Sequence, residues 1–200
     1  MAAQPLVLES YRKPRDTFEV NVMGTHTVLE SAFELDCVKA VLVVTTDKVY
    51  RNDNSGEMFI ESDPLKGKDP YSASKVATES VVSAWQQIVK LRGGPKITAV
   101  RAGNVIGGGD WSENRLLPDI VRAATENRVI QIRNPSSSRP WQHVLDPLTG
   151  YLKLLEKLVT TDFTADSMNF GPKGMSLTVK QVVDIFSRCW PHQKCCRPPL

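Results

Sequence analysis

Long apolar runs are absent from this 200-residue chain, so no stretch reaches the length needed to span a bilayer as a helix. The start, "MAAQPLVLESYRK", also lacks the basic-then-apolar order of a secretory signal. Cysteine is scarce: Cys37, Cys189, Cys195 and Cys196 are the four, and none forms a C-x-x-C pair. That argues against a disulfide framework or a structural zinc and for a reducing compartment. No cluster of acidic residues or histidines has metal-ligand spacing, so no metal is expected. Charge of one sign is not concentrated either. The formal net charge is +3, and Lys13, Arg15, Lys66, Lys68, Lys90 and Arg92 form no block, so no nucleic acid or membrane partner is implied. Repeats and low-complexity segments are missing too. What remains is the profile of a cytoplasmic globular enzyme or binding protein, with 41% hydrophobic residues and enough length for a sizeable core.

Apolar residues at helical spacing run through "FEVNVMGTHTVLESAFEL" (18–35), with Pro14 and Asp16 suited to a helix start. "CVKAVLVV" (37–44) is β-branched and continuous, the pattern of a buried parallel strand. After a polar loop, "DPYSASKVATESVVSAWQQIVKL" (69–91) reads as a long helix from just after Pro70, ended by Gly93, Gly94 and Pro95. "KITAVRAG" (96–103) is a second β-branched run, followed by a glycine-rich loop, "GNVIGGGDW" (103–111). Strand and helix in alternation predict an α/β fold, part of a Rossmann-like doubly wound parallel sheet. In such sheets ligands bind at the carboxyl ends of the strands, where Thr45–Lys48 and Gly103–Trp111 fall.

From about residue 112 the elements shorten. "LLPDIVRAATEN" (116–127) reads as a helix, "VIQIRN" (129–134) as a strand and "VLDPLTGYLKLLEKL" (144–158) as a helix. "SMNFG" (167–171) reads as a strand, and "SLTVKQVVDIFSRCW" (176–190) as an amphipathic helix behind a Ser or Thr cap. The expected organisation is residues 1–111 as part of a cofactor-binding domain, 112–188 as part of a smaller substrate lobe interleaved with it, and 189–200 as an irregular tail.

Tyr71 and Lys75 are four apart on one predicted helix and share a face. A free tyrosine, with a pKa of about 10, is a poor base at neutral pH. An ammonium one turn away favours the phenolate, and the pair then suits taking a proton from a substrate hydroxyl. The hydroxyl of Thr46 can orient the same oxygen. A Y-x-x-x-K pair also occurs as an ordinary solvated helix face. Here, however, it follows a strand ending in Thr-Asp.

"AAQPLV" (2–7), "NVMGT" (21–25), "TTDKVY" (45–50), "PYSASK" (70–75), "RAGNVIGGGDW" (101–111) and "RPWQHVLDPLTGYL" (139–152) together resemble the extended short-chain dehydrogenase/reductase family, NAD-dependent epimerases and dehydratases. The likeness runs from residue 1 to about residue 188 and is strongest to the nucleotide-sugar 4,6-dehydratases that act on CDP-glucose. The resemblance implies tightly bound NAD, oxidation of the sugar at C4, loss of water across C5 and C6, and return of hydride to C6. It implies Tyr71 as the base at the 4-hydroxyl, Lys75 as its activator and a ligand of the nicotinamide ribose, Thr46 as a helper at the same oxygen, and Asp47 as the acid for the departing 6-hydroxyl. Relatives that act on dTDP-glucose carry glutamate where this chain has Lys48. The lysine is then a base for the C5 proton or a charge that stabilises the enolate.

The same resemblance implies cofactor contacts at Ala2, Ala3, Gln4, Thr45, Tyr71 and Lys75. It implies substrate contacts at Asn104, Arg115 and Arg139, the last suited to a diphosphate by its planar fork. The alternative reading of Asn104 is a turn stabiliser, and that of Arg139 an ordinary surface arginine. Gly107, Gly108 and Gly109 do not form G-x-G-x-x-G and read as backbone turning room. Family members pair through helices that correspond here to 16–34 and 70–91, so a homodimer is expected. Residue 1 corresponds to the end of the family's fourth strand. The glycine-rich turn that grips the pyrophosphate is not in this sequence, so these 200 residues alone are expected to bind NAD weakly or not at all and to lack dehydratase turnover. Two other readings stay open: an epimerase of the same family, from which Asp47 argues away, and a non-catalytic remnant.

Overall fold

A computed structural model describes residues 2–53, 56, 58–129, 132–174 and 176–190. In chain order the elements are α1 (Val7–Arg12), α2 (Pro14–Phe18), a π-helical turn (Glu19–Met23), α3 (Gly24–Phe33), β1 (Ala40–Val44), a 3₁₀ turn (Asp47–Val49), α4 (Pro70–Arg92) and β2 (Lys96–Ala102). Then come β3 (Asn104–Ile106), α5 (Leu116–Thr125), β4 (Ser138–Arg139), β5 (Trp141–His143), α6 (Leu145–Thr160), β6 (Ser167–Phe170), β7 (Leu177–Thr178) and α7 (Val179–Cys189). The chain forms two compact units, Met1–Gly103 with Leu145–Phe170, and Asn104–Val144 with Gly171–Leu200.

In the first unit β1, β2 and β6 make a parallel sheet in the order β1-β2-β6. The pleat sends alternate side chains to opposite faces. Val41 and Val43 pack with Leu29, Val82, Trp85, Ile97 and Ala99, below α3 and α4. Ala40, Leu42 and Val44 pack with Val100, Tyr151, Leu154 and Leu158, against α6. Both faces of the sheet are therefore apolar and covered, which is why β1 shows a continuous apolar run. The parallel, doubly covered sheet is the α/β fold expected.

α4 starts where Asp69 accepts from the Ser72 N–H at 2.9 Å and Ser72 Oγ reciprocates at the Asp69 N–H, with Pro70 in the first turn. It ends at Gly93, whose φ of 76° favours glycine. Lys96 completes a neighbouring helix end: its ammonium donates to the Leu158 and Thr161 carbonyls at the close of α6. The predicted helix over 18–35 is interrupted. Its Glu19–Met23 turn is π-helical, and the Asn21 carbonyl accepts from the Thr25 and Thr78 hydroxyls at 2.7 and 2.9 Å.

In the second unit the predicted glycine-rich loop begins instead as β3, paired in parallel with β5, while β4 pairs antiparallel with β7. Ile120, Ala123 and Val183 form the centre of its core. Thr178 caps α7 reciprocally with Gln181. Residues 130 and 131 of the strand expected over 129–134, and the tail from 191 with Cys195 and Cys196, lie outside the described residues. Cys37 and Cys189 are exposed and unpaired. Among the described residues no helix is long and apolar enough to cross a membrane.

Candidate active site

β1 delivers its chemistry by stopping. After Val44 the chain leaves the sheet, and Thr46 opens the 3₁₀ turn by accepting from the Lys48 N–H at 3.3 Å while donating to Asp47 Oδ1 at 3.2 Å. Thr45 and Thr46 are buried, Asp47 is half-buried and Lys48 is exposed. Thr46, Asp47 and Lys48 thus sit together at a strand's carboxyl end, as predicted.

α4 brings the second group. Tyr71 lies in its first turn, 8% exposed, with its N–H donating to Ser10 Oγ at 3.1 Å. Lys48 Nζ stands 6.0 Å from the centroid of the Tyr71 ring, the outer limit of a cation–π contact. One turn on, Lys75 is 5% exposed and its ammonium donates to the Val44 carbonyl at 3.1 Å. Burial pushes Lys75 down from the usual 10.5 to about 8, against the opposing pull of the Glu79 carboxylate.

This has a measurable consequence for stability. In the folded protein Lys75 loses its proton near pH 8, whereas in the unfolded chain it does so near 10.5. Across that window the unfolded state binds more protons, so stability rises with pH. At full extent the rise is about 3 kcal/mol. Urea midpoints taken at both ends of the window are expected to show this gain in the wild-type chain relative to Lys75→Met; parallel pH curves for the two proteins would refute it.

Thr45, expected at the cofactor, turns its hydroxyl inward and donates to Glu79 Oε1 at 2.6 Å. Glu79 also receives both arms of Arg101, Nε on Oε1 at 2.9 Å and Nη2 on Oε2 at 3.0 Å. Arg101 Nη1 then donates to Tyr50 Oη at 2.8 Å, and Tyr50 donates to Asn169 Oδ1 at 2.7 Å. The Glu79 and Arg101 side chains are 7% and 6% exposed. Burial opposes the Arg101 charge, but Glu79 and Tyr50 outweigh it and hold the guanidinium firmly protonated. Burial raises Tyr50 above the usual phenol range. Sequence reasoning missed this network. Its signals were an arginine inside the apolar run "KITAVRAG" and a glutamate four residues beyond Lys75.

The N-terminal segment is tied to the same helix. Asn21 accepts from the Gln4 N–H at 2.8 Å and donates to the Gln4 carbonyl at 3.2 Å and to Ser74 Oγ at 2.9 Å. The Gln4 side chain is engaged within the segment, donating to Thr17 Oγ1 at 2.8 Å and accepting from the Leu6 N–H. Ala2 is exposed and Ala3 half-buried. Asn21 and Ser74 are two further residues that the sequence reading passed over.

Asn104, Arg115 and Arg139 belong to the second unit. Asn104 lies on β3, half-buried and paired with Trp141. Arg115 opens α5 and holds Asp110 at 3.0 Å. Partial burial pushes the Asp110 carboxyl up, but hydrogen bonds from Ser112 and the Arg115 charge carry it below its usual range. Arg139 is exposed on β4, with Nη1 on the Ser138 carbonyl at 2.7 Å.

The model of the NAD dependent epimerase/dehydratase family matches residues 1–166. The CDP-glucose 4,6-dehydratase of Salmonella typhimurium is 44% identical over 197 residues, which cover 95% of this chain and 55% of that protein. Two solved structures share the fold. The NAD dependent NDP-hexosamine 5,6-dehydratase TunA of tunicamycin biosynthesis aligns with a TM-score of 0.81 and 26% identity, over 99% of this chain and 61% of its own. The dTDP-glucose 4,6-dehydratase DesIV of Streptomyces venezuelae, solved with NAD, aligns with a TM-score of 0.81 and 24% identity, over 100% and 60%. The chain thus spans little more than half the length of its relatives.

Proposed function

As this chain belongs to the NAD dependent epimerase/dehydratase family, we propose that it carries the catalytic residues of a cytoplasmic nucleotide-sugar 4,6-dehydratase, with CDP-glucose as the substrate to test first. The observation that carries the reading is the pairing of two groups: Tyr71 and Lys75 on one face of α4, and Thr46, Asp47 and Lys48 on the turn that ends β1. NAD, when bound, supplies the hydride acceptor for C4 and the donor for C6. The residues present suit its nicotinamide end. Lys75 uses one of its three donors on Val44, which fixes the ammonium and leaves donors for ribose hydroxyls. The segment Ala2–Gln4 is fastened beside the same helix through Asn21 and Ser74.

In this reading Tyr71, as phenolate, takes the proton of the sugar 4-hydroxyl, and Thr46 orients that oxygen. Lys75 favours the phenolate by its charge. Asp47, in its carboxylic acid form, protonates the 6-hydroxyl as water leaves, the step that separates dehydration from epimerisation. On the second unit, Asn104, Arg115 and Arg139 are the proposed contacts for a diphosphate. The test incubates the native protein with NAD and with CDP-, dTDP- and UDP-glucose in turn. A 4-keto-6-deoxy product from the CDP-sugar supports the proposal. A 4-epimer, or no turnover with any of the three, overturns it.

Lys48 acts through its charge. It is exposed beside the Tyr71 ring, and in this reading its ammonium stabilises the enolate formed as the C5 proton passes to solvent. Lys48→Glu is expected to slow formation of the 4-keto-6-deoxy product by about 10²-fold, the usual loss for one electrostatic donor at a developing oxyanion. Unchanged product formation in that variant would sink the role.

The helices over 16–34 and 70–91 form the face of a homodimer. Phe18, Val20, Met23 and Val28 are exposed apolar side chains on the first of these stretches. Met23→Lys is expected to shift the native protein toward monomer in sedimentation velocity; a wild type that is already monomeric, or a variant that remains dimeric, contradicts this.

A further inference from the structure

Tyr50 follows the turn that ends β1, and the proposed reaction gives its phenol no role. The turn closes on itself weakly. The Lys48 N–H reaches Thr46 Oγ1 at 3.3 Å, the Val49 N–H reaches the Thr46 carbonyl at 3.3 Å, and the Tyr50 N–H reaches the Asp47 carbonyl at 3.2 Å. All three lie at or beyond the long end of the N–H···O range. Proton transfer is sensitive to displacements well below an ångström, and bonds of this length do not hold a side chain so closely.

What comes after the turn is held tightly. Tyr50 is 2% exposed. Its hydroxyl accepts from Arg101 Nη1 at 2.8 Å and donates to Asn169 Oδ1 at 2.7 Å, so it is engaged in both directions. The Arg101 guanidinium stands 5.0 Å from the ring centroid, and Phe59 stacks on the ring at 4.7 Å with 12° between the planes. Phe59 is fixed in its turn: its carbonyl accepts from Asn169 Nδ2 at 3.2 Å, and Glu61 Oε1 accepts from the Asn169 N–H at 2.8 Å. On either side of Tyr50 the backbone is bonded too. The Val49 carbonyl accepts from the Lys66 N–H at 2.7 Å, and the Arg51 N–H donates to the Pro64 carbonyl at 2.8 Å. β2, β6 and the segment 59–66 thus converge on one residue, two positions beyond Lys48. A phenylalanine would fill the same space and keep the stacking. The hydroxyl adds a fixed distance to β2 and β6.

We propose that Tyr50 is the positioning residue of the Thr46–Lys48 turn: its hydroxyl, held between Arg101 of β2 and Asn169 of β6, sets where the turn presents Asp47 and Lys48. The inference rests on the reading of Asp47 as the acid and Lys48 as the charge at the elimination step. Tyr50 touches neither sugar nor cofactor in this scheme and acts through the turn alone. Its effect is selective, because the groups for the first step are held elsewhere. Tyr71 and Lys75 ride on α4 with its own cap, and Lys75 is bonded to Val44, ahead of the turn. The entry to the turn is also secured, since the Thr45 N–H donates to the Val100 carbonyl at 2.8 Å. A turn released at Tyr50 therefore leaves oxidation at C4 in place and slows the loss of water across C5 and C6. Without that loss there is no acceptor at C6 for the returning hydride.

The test is Tyr50→Phe, read in two ways. The first needs neither substrate nor cofactor. Amide hydrogen exchange followed by NMR is expected to run about tenfold faster at positions 49, 50 and 66, the loss of one buried hydrogen bond, while the amides of α4 keep their wild-type rates. Unchanged exchange at the three positions, or an equal rise along α4, would overturn the proposal. The second reading follows the absorbance of reduced nicotinamide in the native protein with NAD and CDP-glucose. The variant is expected to accumulate the reduced form, which wild type passes through, and to release the 4-keto-6-deoxy product about tenfold or more slowly. Reduction and product release slowed to the same degree would mark a merely structural residue and overturn the proposal, as would wild-type rates for both. Asn169→Ala withdraws the acceptor from the β6 side and is expected to give the same accumulation; wild-type behaviour there would also overturn it. A wild type inactive on every sugar refutes the reading of Asp47 and Lys48 instead, and the exchange result is read independently of it.

Discussion

Tyr71→Phe is expected to lower the rate of 4-keto product formation in the native protein by about 10²- to 10⁴-fold, the range assigned to a positioned proton-transfer group. The substitution removes one oxygen and leaves the ring. The ring is 8% exposed, and the backbone N–H at this position is held by Ser10, so α4 and its Asp69–Ser72 cap persist. The loss therefore reports chemistry and not folding, which a matching urea midpoint for the two proteins verifies. Substrate binding should change far less than turnover, because the phenol acts most strongly when the 4-hydroxyl is losing its proton. Turnover within about tenfold of wild type would remove Tyr71 from the role of base and with it the reading of the site.

Arg101→Leu is expected to have the largest effect on stability, a loss of about 3 to 5 kcal/mol, typical of a buried ion pair broken on one side. The leucine cannot answer the two bonds that Glu79 receives from Arg101, and Tyr50 and the Glu61 carbonyl each lose a donor. An uncompensated carboxylate then remains at 7% exposure. Replacing Glu79 by leucine as well removes the unpaired charge, so the double variant is expected to recover most of the loss. Urea denaturation of the wild type, Arg101→Leu and the double variant decides this. Equal stability of Arg101→Leu and wild type would show that the pair is solvated and the network open.

The elements whose cause is local were legible. The strand over 40–44 shows its burial on both faces in its unbroken apolar run, and the helix from Pro70 announces its start with Asp69, Pro70 and Ser72. The clustering of Thr46, Asp47 and Lys48 at a strand end needed only the position of the strand. What stayed hidden depends on partners far along the chain. The run after Gly103 looked like a loop because Asn104–Ile106 owes its strand geometry to Trp141–His143. Glu79 and Arg101 are 22 residues apart and on different elements, so neither shows its partner in local pattern. The π-helical turn escaped for the same reason: Asn21 is anchored by Gln4 on one side and by Ser74 and Thr78 on the other, while the helical periodicity continues through it unaltered.

The position of β6 orders the folding of the first unit in time. β2 ends at Ala102, yet its second neighbour is Ser167–Phe170, which follows the whole segment 104–144 in the chain. As the chain leaves the ribosome, β1 and β2 can pair early, but Tyr50 waits for Asn169 and Thr98 for the Ala165 carbonyl. The network that ends at Asn169 closes only after the second unit's first segment has been synthesised, so the long loop between β2 and β6 must be closed at an entropic cost before these bonds repay it. A nascent chain halted near residue 144 would expose one side of β2 to solvent.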